Sequence, residues 1–172
     1  MEHKEGPAAG RSGEFLQFVR GRASPLHQSA YVLCGDWHLA QDLVQETLVK
    51  AYRHWPRVRQ ANDPDAYVRR ILVNVARDRW RRREKAVSVA RFTVDPAVPD
   101  AADDIARRDG VLQALLELPF QQRATVVLRY LEGLSQAETA ELLGCSEGTV
   151  KSNSSRALAT LRKFLDRTEA KS

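Results

Sequence analysis

From Phe15 to Leu165, apolar residues return at three- and four-residue steps and almost never alternate with polar ones. A period near 3.6 belongs to a helix with one buried stripe, whereas a half-buried strand needs a period of two. An all-α fold is therefore expected, in which helices bury their stripes against one another. The period lapses over residues 84–104, "EKAVSVARFTVDPAVPDAADD", where Pro96 and Pro99 join Asp95, Asp100, Asp103 and Asp104. Such a stretch predicts an acidic, mostly unstructured linker between two small helical modules, 14–83 and 105–167. The polar, Gly-rich residues 1–13 are expected to be disordered, and the tail 168–172 has nothing to bury.

In the first module, "EFLQFVRGRASPLHQSAYVLCG" predicts a helix interrupted near Pro25 and closed by Gly35. Asp36 is placed to cap the next helix and Pro56 to stop it. Its buried stripe runs through Trp37, Ala40, Val44, Thr47, Leu48, Ala51, Tyr52 and Trp55. A basic loop, "RVRQAN", leads to a helix capped by Asp63 with Pro64 in its first turn, buried through Tyr67, Val68, Ile71, Leu72, Val75 and Ala76. The second module divides at Pro119 into two helices, and two more follow.

Those last two helices carry the most specific pattern. Ser135 and Glu138 form a capping box, and the short helix they open ends at Gly144, a residue suited to a left-handed turn. Ser146 caps the helix beyond. Ala140 permits close crossing, while Leu143 and Val150 fill the junction. The arrangement is a helix-turn-helix, whose second helix lies in the DNA major groove. Lys151 and Arg156 could reach phosphates or guanine edges, and Ser152, Asn153 and Ser155 are short enough for close approach. The bland alternative is a solvated corner of an ordinary bundle. Ser154 conflicts with the stripe of Val150, Ala157, Leu158, Leu161 and Leu165: either its hydroxyl bonds back to a carbonyl, or packing is loose there.

A second basic surface lies on "AYVRRILVNVARDRWRRR", where Arg69, Arg70, Arg77, Arg79 and Arg81–Arg83 share a helix with Tyr67 and Trp80. Arginines with aromatics suit a nucleic-acid backbone and unstacked bases; a solvated basic helix end is the structural alternative. Asn74 could read a base edge or satisfy a neighbouring backbone group. The preceding helix shows Asp42, Gln45, Glu46 and Lys50 opposite its stripe, with Leu43 and Val49 beside them. An acidic, amide-rich face on a basic protein suits protein docking better than DNA.

Composition narrows the function classes. Net charge is +5, with 43% hydrophobic and 28% charged residues, ordinary for a soluble protein and compatible with a polyanionic partner. The two cysteines, Cys34 and Cys145, suggest neither a disulfide framework nor a zinc site. Neither a signal-peptide core nor an ~18-residue apolar span occurs, so a cytoplasmic protein is expected. The four histidines form no ligand spacing, and neither a phosphate loop nor a nucleophile turn is present. No catalytic residue, metal or cofactor is expected.

At "DLVQETLVKAYRHW", "PDAYVRRILVNVARDRWRRR" and "LPFQQRATVVLRYLEGLSQAETAELLGCSEGTVKS", in that order, the chain resembles the extracytoplasmic-function sigma factors of bacterial RNA polymerase, most of all the actinobacterial sigma-E type. The resemblance implies that Asp42, Leu43, Gln45 and Glu46 contact the β′ clamp helices. It implies that helix 64–83 captures the minus-ten element, with Asn74 holding a flipped base and Arg69, Arg70, Arg77 and Arg79 steering the strand. The linker would thread toward the active centre. The helix-turn-helix would read the minus-thirty-five element through Thr149, Lys151, Ser152, Asn153, Ser155 and Arg156, near the β flap. Relatives often carry Arg and a branched apolar residue where this chain has Asn153 and Ser154. A sequestering anti-sigma partner is a family possibility that the residues leave open. A sigma factor would be a monomer when free, with weak DNA affinity of its own; a stand-alone helix-turn-helix regulator would instead bind duplex DNA as a dimer. A protein-interaction bundle would leave the arginine-rich helix unexplained.

Overall fold

The first module folds as α1 (Pro7–Arg20), α2 (Ala23–Cys34), α3 (Trp37–Arg53), α4 (Trp55–Gln60) and α5 (Pro64–Ala90). The second folds as α6 (Gly110–Glu117), α7 (Phe120–Val126), a π-helical turn over Val127–Leu131, α8 (Gln136–Leu143) and α9 (Glu147–Glu169). This is a computed structural model that describes residues 7–90 and 110–169, and within them no strand occurs.

Local chemistry sets several boundaries as expected. Gly35 ends α2 at φ 74°, its N–H donating to the Tyr31 carbonyl. The Asp36 carboxylate accepts the Leu39 N–H at 2.7 Å, and Asp63 accepts that of Ala66 at 2.9 Å. Ser135 and Glu138 form the reciprocal capping box, and Gly144 closes α8 at φ 65°. Each cap satisfies amides or carbonyls that a helix end leaves without intrahelical partners.

Elsewhere, tertiary contacts override local signals. Residues 7–13, expected to be disordered, are helical: Arg11 donates to the Tyr52 and Arg53 carbonyls, and Ser12 meets the Tyr52 hydroxyl at 2.9 Å. Phe15 and Phe18 pack on Trp55 at 5.3 and 5.2 Å between centroids, so docking sustains a glycine-bearing helix. The first break falls at Gly21–Arg22 rather than near Pro25, which lies in the first turn of α2, where the missing N–H costs little. "RVRQ" belongs to α4 rather than a loop, because Trp55 and Val58 are buried. Helix α5 passes the expected linker start at Glu84 and runs to Ala90. The expected linker beyond Ala90 lies outside the described residues up to Asp109.

The modules do not stand apart. One buried cluster joins Leu33, Leu43, Val68 and Leu72 of the first to Phe120, Val127, Leu134 and Leu142 of the second. Trp80 of α5 stacks on Phe120 of α7 at 6.2 Å. Over the same indole lies the guanidinium of Arg123, 5.1 Å from the ring centroid. Leu116 of α6 packs so closely on Gly35 that a Cβ there would stand 2.5 Å from its Cδ2.

Candidate nucleic-acid and docking interfaces

Helix α9 presents two contrasting faces. Val150, Ser154 and Ala157 are buried, whereas Thr149, Lys151, Ser155 and Arg156 face solvent and Ser152 and Asn153 are half-buried. The Ser146 hydroxyl accepts the Thr149 N–H at 3.1 Å and holds the helix start open to solvent. Short polar side chains around Lys151 and Arg156 let a helix backbone approach a groove. The conflict at Ser154 is decided by burial: its hydroxyl is enclosed with no hydrogen-bond partner among the described residues. Leu158, expected in the buried stripe, is 43% exposed, because α6, α7 and α8 cover only the Val150–Ala157 side of α9.

The arginine face of α5 is engaged rather than free. Arg69 Nε lies 2.9 Å from Glu132 Oε2, and Arg70 donates to the Glu141 carbonyl at 3.2 Å. Both partners belong to the second module. Asn74 Oδ1 accepts from Arg77 at 2.7 Å, so its amide serves a neighbouring side chain rather than a backbone group. Arg79 reaches back to α3, 3.6 Å from Asp42 and 3.3 Å from Glu46.

That last contact joins two surfaces expected to act separately. Asp42 and Gln45 are exposed on α3, while Glu46 is held below the usual carboxylate range, first by its hydrogen bond with Lys50 and further by Arg79. Leu43 departs from expectation. It is 1% exposed in the core, since the 100° step of the helix turns it toward α2 and α5 instead of outward. Trp37, assigned to the buried stripe, is 45% exposed, resting edge-on against Tyr31.

Sequence reasoning also missed the residues that weld the modules. Arg123 is 1% exposed; one Nη donates to the Leu116 carbonyl at 3.0 Å, while Nε and the other Nη find no hydrogen-bond partner among the described residues. Burial pushes its pKa down. Cys34 donates to the Asp36 carbonyl, and burial raises its thiol to about 11. No local signal marked Glu132, because its partners Ser29 and Arg69 are distant in sequence.

Among the described residues, no cluster of three metal-ligating side chains occurs and no helix is long and apolar enough to cross a membrane. The described geometry is that of a helix-turn-helix beside an arginine-rich helical bundle. Residues 18–86 match the model for sigma-70 region 2, and residues 108–161 match that for sigma-70 region 4. The chain belongs to the sigma-70 family. Its extracytoplasmic-function character follows from the relatives. It is 40% identical to the RNA polymerase sigma-E factor of Streptomyces avermitilis, over 92% of this chain and 89% of that one. It is 34% identical to the ECF RNA polymerase sigma factor SigM of Mycobacterium tuberculosis, over 91% and 80%. The sigma factor RpoE of Bartonella quintana, solved with the anti-sigma factor NepR, is similar in fold, with a TM-score of 0.73 and 28% identity over 89% of this chain and 97% of that one. Region 2 is thus the bundle carrying α3 and α5, and region 4 the module carrying α8 and α9. Sigma factors are not enzymes as a class; they bind core RNA polymerase and direct promoter recognition and transcription initiation.

Proposed function

We infer that this sigma factor divides its work between three surfaces. Asp42, Gln45 and Glu46 on α3 dock on the β′ clamp helices, with Leu43 supporting them from the core rather than touching the partner. Arg69, Arg70, Asn74, Arg77 and Arg79 on α5 capture the minus-ten strand as the duplex melts. Thr149, Lys151, Ser152, Asn153, Ser155 and Arg156 on α9 read the minus-thirty-five element. The β flap and an anti-sigma protein are further partners, and the free chain is a cytoplasmic monomer.

The observation that carries this reading is the outer face of α9, where Thr149, Lys151, Ser155 and Arg156 stand exposed opposite buried Val150 and Ala157. Such a face suits groove contact. Asn153 supplies no charge where relatives often carry Arg, so the salt dependence of promoter binding should be flatter by about one counterion per lost phosphate contact.

Co-elution with bacterial core polymerase, followed by promoter-dependent transcription, tests the assignment. Gln45→Ala with Glu46→Arg should abolish co-elution. Lys151→Ala should leave co-elution intact and reduce initiation at a minus-thirty-five-dependent promoter by about 5- to 150-fold, the effect of losing about 1–3 kcal/mol at one base contact. A chain that ignores core polymerase and shifts duplex DNA as a dimer would overturn the reading.

A further inference from the structure

Between α2, α3 and α5 of region 2 lies a cavity of about 380 Å³, bordered on one side by Phe120 of α7. Leu33, Leu43, Ala76 and Phe120 are buried and form its floor, with half-buried Leu39 and Trp80 on its walls. Arg82 and Arg83 are exposed and stand at its mouth beside Arg79. Among the described lining residues only Glu46 is acidic, and Lys50 at 3.0 Å and Arg79 at 3.3 Å already balance its charge. Arg82 donates to the neutral Asp78 carbonyl, and among the described residues neither Arg82 nor Arg83 pairs with a carboxylate. Against Trp80 rests the buried Arg123, a further cation 5.1 Å from the ring centroid, with two nitrogens lacking a hydrogen-bond partner among the described residues.

An apolar enclosure of this size with a few convergent polar groups has the form of a small-molecule site. Its apolar walls strengthen the field of the arginines at the mouth. A nucleic-acid phosphate would satisfy those arginines but leave the leucine floor in contact with water, which is unfavourable. A ligand that serves both carries an apolar tail and one anionic head. We propose that this cavity binds an amphipathic carboxylate, its acyl tail on Leu33, Leu39, Leu43 and Phe120 and its head on Arg82 and Arg83. The planar fork of a guanidinium matches the two oxygens of such a head. Glu46 and Arg79 set the site against the α3 docking face, yet binding does not require that face to meet polymerase.

Isothermal titration calorimetry of the full chain with octanoate and decanoate tests the site. Decanoate should bind one-to-one and about 15-fold more tightly than octanoate, since each buried CH₂ contributes about a fourfold gain. Octanoate should bind more tightly than octanol, the reverse of the order that an uncharged apolar patch would give. Arg82→Ala with Arg83→Ala, at exposed positions, should weaken decanoate about fivefold. Arg81→Ala with Lys85→Ala removes the same charge from the same helix away from the cavity and should leave the affinity unchanged. Leu39→Glu, which sets a carboxylate on the wall, should abolish binding; should it fail to fold, the arginine variants and the octanol comparison still decide. Absence of saturable binding of decanoate, a preference for octanol over octanoate, or equal losses in the two double variants would each overturn the site.

Discussion

Gly35 concentrates two constraints in one residue: it holds a left-handed φ of 74° to end α2, and it lies beneath Leu116 of the other module. Gly35→Ala should cost about 1–2 kcal/mol from the backbone alone and should also displace Leu116, which thermal denaturation followed by circular dichroism would detect as a lower Tm. Nearby, the thiol of Cys34, raised to about 11 by burial, should react with iodoacetamide at pH 8.5 many times more slowly in the folded chain than in denaturant. Glu46 carries a pH signature. Its carboxyl is depressed, first by Lys50, so between the ordinary glutamate pKa and its folded value the unfolded chain binds the extra proton. Its contribution is complete above the ordinary glutamate range and is lost as pH falls through the depressed folded value. Urea melts at pH 7 and pH 3.5 should show a smaller acid-induced loss for Glu46→Gln than for wild type.

At the scale of elements, the capping chemistry was legible and the helix lengths were not. Asp36, Asp63 and the Ser135–Glu138 box act through neighbours three residues away, so sequence spacing alone locates them. Ser135→Ala should destabilise α8 by about 1 kcal/mol and lower the Tm by several degrees, with Ser135→Asp restoring most of the loss. The first turns of α1, over residues 7–13, and the whole of α4 escaped notice for the opposite reason. Their glycines and prolines argue for loops, and only the docking of Phe15, Phe18, Trp55 and Val58 outweighs those propensities. The same reasoning separates Leu43 from Glu46. Both lie near the polar face on a helical wheel, yet α2 and α5 close over the leucine and leave the carboxylate at the edge, beside Arg79.

Across the whole molecule, the shared core makes regions 2 and 4 a single cooperative body in the described arrangement. Calorimetry of the full chain should therefore give one unfolding transition; two resolved transitions would show that the modules melt separately. The amino-acid sequence by itself determined the helical class, the bipartite order, the caps and the chemistry of the α5 and α9 surfaces. Those depend on periodicity and on partners within a few residues. Only the tertiary structure decided that Leu43 is interior, that Arg79 bridges to Asp42 and Glu46, and that Glu132 and Glu141 occupy Arg69 and Arg70. Glu132 lies 63 residues from Arg69, and no local spacing encodes that meeting: it follows from how two apolar stripes find a common interior.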